Sequence, residues 1–109
     1  LKNDEDSPYL LMKLSRVLVE NGKMEDALHF AQKTVDLAPD DLKAREFLAE
    51  IYSQLKKFDL AISQYREILE KDPGNREVRL HLSTLFIRLK KYDLALNQLS
   101  ILINNEPGQ

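Results

Sequence analysis

Residues 54–62, which read QLKKFDLAI, recur further along the chain as residues 88–96, RLKKYDLAL. Six of these nine positions are identical, and the aromatic and aliphatic positions that differ keep their character. Self-similarity at a fixed interval is typical of proteins built from repeated structural units, and the chain is therefore predicted to consist of repeats of about 34 residues.

The same interval runs through the rest of the 109-residue chain. It separates Pro39 from Pro73 and Pro73 from Pro107, so three units and a short leader fill the sequence. We accordingly divide it into a leader at 1–7 and repeats at 8–41, 42–75 and 76–109. Since no residues remain for a closing helix after the third repeat, we expect the chain to be part of a longer repeat protein.

Apolar residues in each repeat follow a helical period. In the middle repeat they lie at i, i+4, i+7, i+8 and i+11 from Ala44, and at i, i+3, i+4, i+7, i+10 and i+11 from Phe58. These spacings predict two amphipathic helices per repeat and an all-α fold. Gly22 suits the backbone that ends a first helix. The predicted N-cap residues are Ser7, Asp41 and Asn75.

Composition and spacing argue against chemistry in this chain. There is no Cys, which argues against a disulfide scaffold and a zinc site, and the net charge of −2 gives no attraction to nucleic acid. His29 and His81 are interpreted as lacking acidic partners at metal-ligand spacing. No Gly-rich phosphate loop, nucleophile arrangement or bilayer-length apolar run is present. We expect no catalysis, no metal, no cofactor and no direct membrane insertion.

The repeat resembles the tetratricopeptide repeat (TPR) family. The resemblance is carried by Leu14-Ser15, Leu48-Ala49 and Leu82-Ser83, by Leu18, Tyr52 and Phe86, by Ala27, Ala61 and Ala95, by Tyr65, and by the three prolines. The departures are Leu11, Arg45 and Arg79 for an early aromatic, Thr34, Ile68 and Leu102 for a second alanine, and Ala31 and Leu99 for an aromatic. The resemblance implies a right-handed α-solenoid that binds a peptide or partner protein in a concave groove.

In this family the first helix of each repeat lines the groove. By resemblance, the groove residues are Tyr9, Met12, Arg16, Val19, Lys43, Glu46, Phe47, Glu50, Glu77, Leu80, His81, Thr84, Ile87 and Arg88. One TPR subclass clamps the C-terminal carboxylates of chaperones with Lys, Asn and Arg. The matching positions here are Met12, Arg16, Phe47, Glu77 and His81. Because Glu77 would repel a carboxylate, this clamp is excluded as an expected function.

Two interpretations of the groove remain open. The apolar residues Met12, Val19, Phe47, Leu80 and Ile87 suit a hydrophobic peptide, and Glu46 and Glu50 would favour a Lys or Arg in it. Alternatively, these side chains only pack between successive helices, and the chain is a structural spacer or a self-association segment. Helices predicted at 78–89 and 94–103 would expose an apolar face, covered by another chain or by more of the parent protein.

Overall fold

A computed structural model describes residues 7–104, so residues 1–6 of the leader and Pro107 of the third repeat lie outside the described residues. Within that range the chain forms helices and no strand, which confirms the all-α prediction. The helices are α1 (Pro8–Glu20), α2 (Met24–Leu37), α3 (Leu42–Gln54), α4 (Phe58–Lys71), α5 (Arg76–Arg88) and α6 (Tyr92–Asn104). None of these described helices is long and apolar enough to cross a membrane.

Three helices begin at the predicted N-caps. The side chain of Ser7 accepts a hydrogen bond from the Leu10 amide, and Asp41 and Asn75 accept the equivalent bonds at 3.1 and 3.0 Å. Each of these bonds satisfies a backbone N–H that has no partner within its helix. The cap at Asn75 also explains why α5 begins at Arg76 rather than at the predicted residue 78.

The turns after α1, α3 and α5 share one backbone geometry. Gly22, Lys56 and Lys90, which occupy the same position in successive repeats, have φ values of 79°, 63° and 61°. After each of them, the next amide donates at 2.8 Å to a carbonyl five residues earlier. These bonds define a Schellman motif, in which a left-handed residue ends the helix. The repeated turn therefore depends on its hydrogen bonds and not on glycine.

The chain divides into two compact units between Gln64 and Tyr65, within α4. In the first unit, α1 packs on α2 and α2 packs on α3. The predicted alanine position is fully buried there at Ala27, whose carbonyl accepts a hydrogen bond of 2.7 Å from the Ser15 hydroxyl. Small residues on both helices thus allow α1 and α2 to approach closely.

The second unit is built around the pair α5 and α6, which pack on each other. Ala95 and Ser83 are buried at the positions equivalent to Ala27 and Ser15. Here the Ser83 hydroxyl donates to the Arg79 carbonyl of its own helix at 2.9 Å. The same small residues are therefore buried in both units, although their hydroxyls have different partners.

Candidate functional site

The predicted groove residues of the first unit lie on α1 and α3. Tyr9 and Arg16 are exposed, Met12 and Val19 are half-buried, and the Lys13 ammonium lies 5.6 Å from the centre of the Tyr9 ring. The α1 side of the candidate site therefore presents aromatic, aliphatic and cationic groups to solvent.

Phe47 on α3 is placed differently from its neighbours on α1. It is only 7% exposed, and the Arg16 guanidinium lies over its ring, 4.5 Å from the centre. A guanidinium at this distance is attracted to the face of the ring. Arg16 and Phe47 are therefore brought together by the fold, and Phe47 contributes to the packing of the unit.

The acidic groups on α3 are less accessible than the sequence suggests. Glu46 is buried, and its carboxylate lies 3.9 Å from the ammonium of Lys43, which is exposed. Glu50 is half-buried and has an interaction of its own. The negative charge of this part of the site is thus partly balanced by Lys43.

In the second unit the candidate residues lie on α5. Leu80 is 53% exposed, Ile87 and Thr84 are also exposed, and the Thr84 hydroxyl donates to the Leu80 carbonyl at 3.1 Å. Leu80 and Ile87 are seven residues apart, about 10.5 Å along the helix, and so share one face. Because the Thr84 hydroxyl is bonded to the backbone of its own helix, Leu80, Thr84 and Ile87 together form an apolar strip.

His81 lies beside this strip and has closer neighbours than expected. Its ring stacks on the Tyr65 ring at 5.8 Å, and its Nε2 lies 3.9 Å from a Glu77 carboxylate oxygen. The interpretation that His81 has no acidic partner is therefore wrong, because Glu77 lies one helical turn away. The contact is an ion pair only when the histidine is protonated.

One polar contact that the sequence did not predict occurs in both units. Arg45 donates to Gln64 Oε1 and to the Pro39 carbonyl, each at 2.9 Å. Arg79 does the same with Gln98 and Pro73, at 2.7 and 2.8 Å. The sequence pattern marks these arginines only as departures from the family. The first repeat has Leu11 and Phe30 at the two equivalent positions, and both later repeats have Arg and Gln there. This paired change is the sequence signal that could have indicated the contact.

A second feature that the sequence did not predict is a groove of about 490 Å³ between α2 and the end of α3. The Tyr52 hydroxyl and Gln32 Oε1 are 2.9 Å apart, and the Gln32 amide donates to Asp36 at 2.9 Å. Burial, and secondly the negative charge of Asp36, raise the pKa of Tyr52 above 10.0. A phenol that stays protonated holds this chain of hydrogen bonds in place.

Comparison with known proteins places this geometry in a family. Two tetratricopeptide repeat models match residues 12–76 and 54–109. Over 76 residues the chain is 33% identical to the "probable assembly chaperone of rpl4" of Emericella nidulans, covering 66% of this chain and 20% of that protein.

Solved structures share the fold. YrrB, described as "a TPR protein with an unusual peptide-binding site", is 25% identical with a TM-score of 0.83, over 100% of this chain and 54% of YrrB. MamA from Desulfovibrio magneticus RS-1 is 17% identical with the same TM-score, over 95% of this chain and 58% of MamA. The chain thus spans a fifth of its curated relative and under two thirds of these structures. Since one tetratricopeptide repeat model alone matches more than half of the chain, the chain belongs to the tetratricopeptide repeat family.

Proposed function

We propose that this chain is a protein-interaction module that binds an apolar peptide segment along α5, with the α1 and α3 residues of the first unit as a second contact surface. The observation that carries the proposal is the exposed strip formed by Leu80, Thr84 and Ile87. A strip of this kind on a rigid helix suits apolar anchor side chains. Binding to proteins is also the general role of the TPR family.

The charges of the candidate site favour a partner of particular chemistry. Glu77 lies one turn before His81 on α5, and in the first unit the Glu46 carboxylate lies 3.9 Å from the ammonium of the exposed Lys43. We propose a segment that combines apolar side chains with a Lys or Arg. A C-terminal carboxylate is disfavoured, because Glu77 repels it and the Arg16 guanidinium is engaged over Phe47.

The relatives support this class of function. YrrB is described as having a peptide-binding site, and the Emericella nidulans relative is named an assembly chaperone. Both descriptions fit recognition of another polypeptide without chemistry. We propose the same for this chain, with no catalytic role, and we place the binding residues on α1, α3 and α5.

The test is a selection of 12-residue peptides from a phage-displayed library on the immobilised chain, followed by fluorescence anisotropy with the enriched peptides. We expect enrichment of apolar peptides that carry a basic residue. Leu80→Ala and Ile87→Ala should each weaken their binding about tenfold, which corresponds to the loss of one apolar anchor. Failure to enrich any common sequence would overturn the proposal.

The control is Leu60→Ala, which truncates an exposed leucine on α4 outside the candidate site. It should bind the same peptides as the unmodified chain does. Phe47→Ala is a poorer probe, since it removes a buried ring and lowers stability as well. Equal affinities for the Leu80, Ile87 and Leu60 variants would also contradict the proposal.

A further inference from the structure

The groove between α2 and the end of α3 lies where the first and second repeats meet. It is lined by side chains from one face of α2, within residues 25–36, and by Tyr52 on α3. Glu25 and Asp36 mark its two ends, which are about 16 Å apart along the helix. We call it the α2 groove. Because two repeats of this sequence form it, neither end of the sequence leaves it open.

The charges around the α2 groove favour a cation. Glu25 and Asp36 contribute two negative charges and Lys33 one positive charge, so the lining is negative overall with His29 neutral. Asp36 lies in the last turn of α2, which contains no basic residue, so the negative end of the helix dipole adds to its charge. Burial is the main cause of the raised pKa of Tyr52 and the charge of Asp36 is the second, so this carboxylate acts on the phenol.

The second unit shows which group occupies the equivalent place there. Arg66 and Phe86 come one repeat after Gln32 and Tyr52. The Arg66 guanidinium lies over the Phe86 ring, 5.6 Å from its centre. Guanidinium groups are attracted to the faces of aromatic rings, so this contact stabilises the pair. This position of the repeat thus accommodates a guanidinium over an aromatic ring.

The first unit has the aromatic ring at this position but not the guanidinium. Gln32 replaces the arginine, and its Oε1 lies 2.9 Å from the Tyr52 hydroxyl. Its amide donates to Asp36 Oδ1 at 2.9 Å, and a carboxylate can accept about four hydrogen bonds. None of the described residues that line the α2 groove is an arginine. The groove therefore combines an aromatic ring and a carboxylate with further acceptor capacity.

We propose that the α2 groove binds an arginine side chain of a partner protein, with its guanidinium over the Tyr52 ring and hydrogen-bonded to Asp36. A guanidinium suits both groups, because it is planar, stacks on rings and donates two parallel N–H bonds to a carboxylate. A lysine ammonium is a compact charge that lacks this planar geometry. The groove is as long as about five extended residues, so we expect the arginine within a short extended segment.

This second surface is independent of the proposed function. Its residues on α2, and Tyr52 on α3, are not among the predicted peptide-binding residues of α1, α3 and α5. The α5 strip was assigned to apolar anchors, whereas the α2 groove is assigned to one charged side chain. Each assignment can therefore fail while the other holds.

The first test is a nuclear magnetic resonance titration of the isotope-labelled 109-residue chain. The probe is the peptide Gly-Ser-Arg-Ser-Gly, acetylated and amidated so that its ends carry no charge. We expect saturable shifts within residues 25–36 and at Tyr52, with a Kd of about 0.1–1 mM. The δ-methylene protons of the arginine should move upfield, because they would lie over the Tyr52 ring. Shifts confined to α5, or no saturation up to about 10 mM, would overturn the proposal.

Two further peptides test whether the guanidinium is the group recognised. Lysine in place of the arginine should weaken binding at least about fivefold, since an ammonium neither stacks nor pairs with a carboxylate in the same way. Citrulline keeps the shape of arginine and loses its charge, so it should give no saturable shifts. Equal binding of the three peptides would contradict the proposal.

A pair of isosteric variants tests the carboxylate. Asp36→Asn removes the charge at the groove and should weaken binding of the arginine peptide about tenfold. Asp26→Asn is the matched control, because it removes one charge from an exposed residue of α2 that does not line the groove. It should bind the peptide normally. Equal weakening in both variants would mean that net charge, and not the groove, attracts the peptide.

The sharpest variant is Gln32→Arg, which gives the first unit the residue that the second unit has at Arg66. Its guanidinium should occupy the place over the Tyr52 ring and abolish binding of the arginine peptide, with helicity unchanged by circular dichroism. A Gln32→Arg chain that binds the peptide normally would show that this place is not the binding site.

A last comparison separates this inference from peptide binding along α5. Leu80→Ala should bind the arginine peptide normally, and Asp36→Asn should bind the selected apolar peptides normally. Weaker binding of the arginine peptide by Leu80→Ala would place the arginine on α5 and contradict its assignment to the α2 groove.

Discussion

The helix pair α1–α2 and the pair α5–α6 share one turn geometry but are built from different residues. Both turns close with hydrogen bonds of 3.0 and 2.8 Å, yet the left-handed residue is Gly22 in one and Lys90 in the other. Conversely, Leu14 and Leu82 are identical, but the first is exposed and the second is buried. The repeat thus preserves backbone geometry, while burial depends on the position of a repeat in the array.

The largest chemical difference between the two pairs lies near the start of their first helices. Leu11 is buried in α1, and the equivalent Arg79 in α5 bonds to Gln98 and to the Pro73 carbonyl. The first pair stabilises this position by apolar burial, and the other does so with two hydrogen bonds from a guanidinium. These two kinds of stabilisation differ in strength, which makes the comparison testable.

The largest effect is expected for Leu11→Ala, compared with Arg79→Ala. Truncating a buried leucine costs about 2–5 kcal/mol of unfolding free energy. Arg79→Ala leaves the Gln98 oxygen and the Pro73 carbonyl without this donor and should cost about 1–3 kcal/mol. Urea unfolding followed by circular dichroism measures both. Leu37→Ala, at an exposed position, is the control. A greater loss from Arg79→Ala than from Leu11→Ala would reverse our ranking.

Features that depend on neighbouring residues were predictable from the sequence. The three N-caps, the helix pairs and the turn at Gly22 follow from local residue preferences, and the structure confirms them. The bond between Arg45 and Gln64 joins residues 19 positions apart, and no local preference indicates it. The burial of Phe47 beneath Arg16 likewise depends on how α1 and α3 approach each other. Long-range packing, and with it the exposure of each candidate site residue, therefore required the structure.

A smaller effect is expected at the left-handed turn residues. A residue other than glycine is strained at positive φ by about 1–2 kcal/mol. Replacing it by glycine removes this strain, but the greater freedom of glycine in the unfolded chain offsets part of the gain in stability. Lys90→Gly should therefore stabilise the chain by about 0.5–1 kcal/mol, and Gly22→Ala should destabilise it similarly. A methyl group at Gly22 would meet no atom within 4 Å, so the change isolates backbone strain.

Thermal and urea unfolding of the two turn variants give the measurement. Lys90→Ala serves as the control, because it removes the lysine side chain and retains the strained backbone, so its stability should change little. If Lys90→Ala stabilised the chain as much as Lys90→Gly does, the effect would come from the lysine charge. The turns after α1 and α5 would then differ in electrostatics rather than in strain.

The smallest effect is expected for Tyr52→Phe, which gives α3 the residue that α5 has at Phe86. At neutral pH the variant loses the hydrogen bond with Gln32, at a cost of about 0.5–1.5 kcal/mol.

Burial raises the pKa of Tyr52 above its unfolded value, so the unfolded chain gives up this proton first, and the stability of the unmodified chain falls as the pH rises past about 10. Urea unfolding at pH 8 and above this range should show a smaller loss in Tyr52→Phe than in the unmodified chain. Tyr92→Phe, at an exposed tyrosine, should retain the full loss. Equal losses of stability in both variants would mean that the Tyr52 phenol does not cause the fall at high pH. The phenol would then not make α3 differ from α5 in its response to pH.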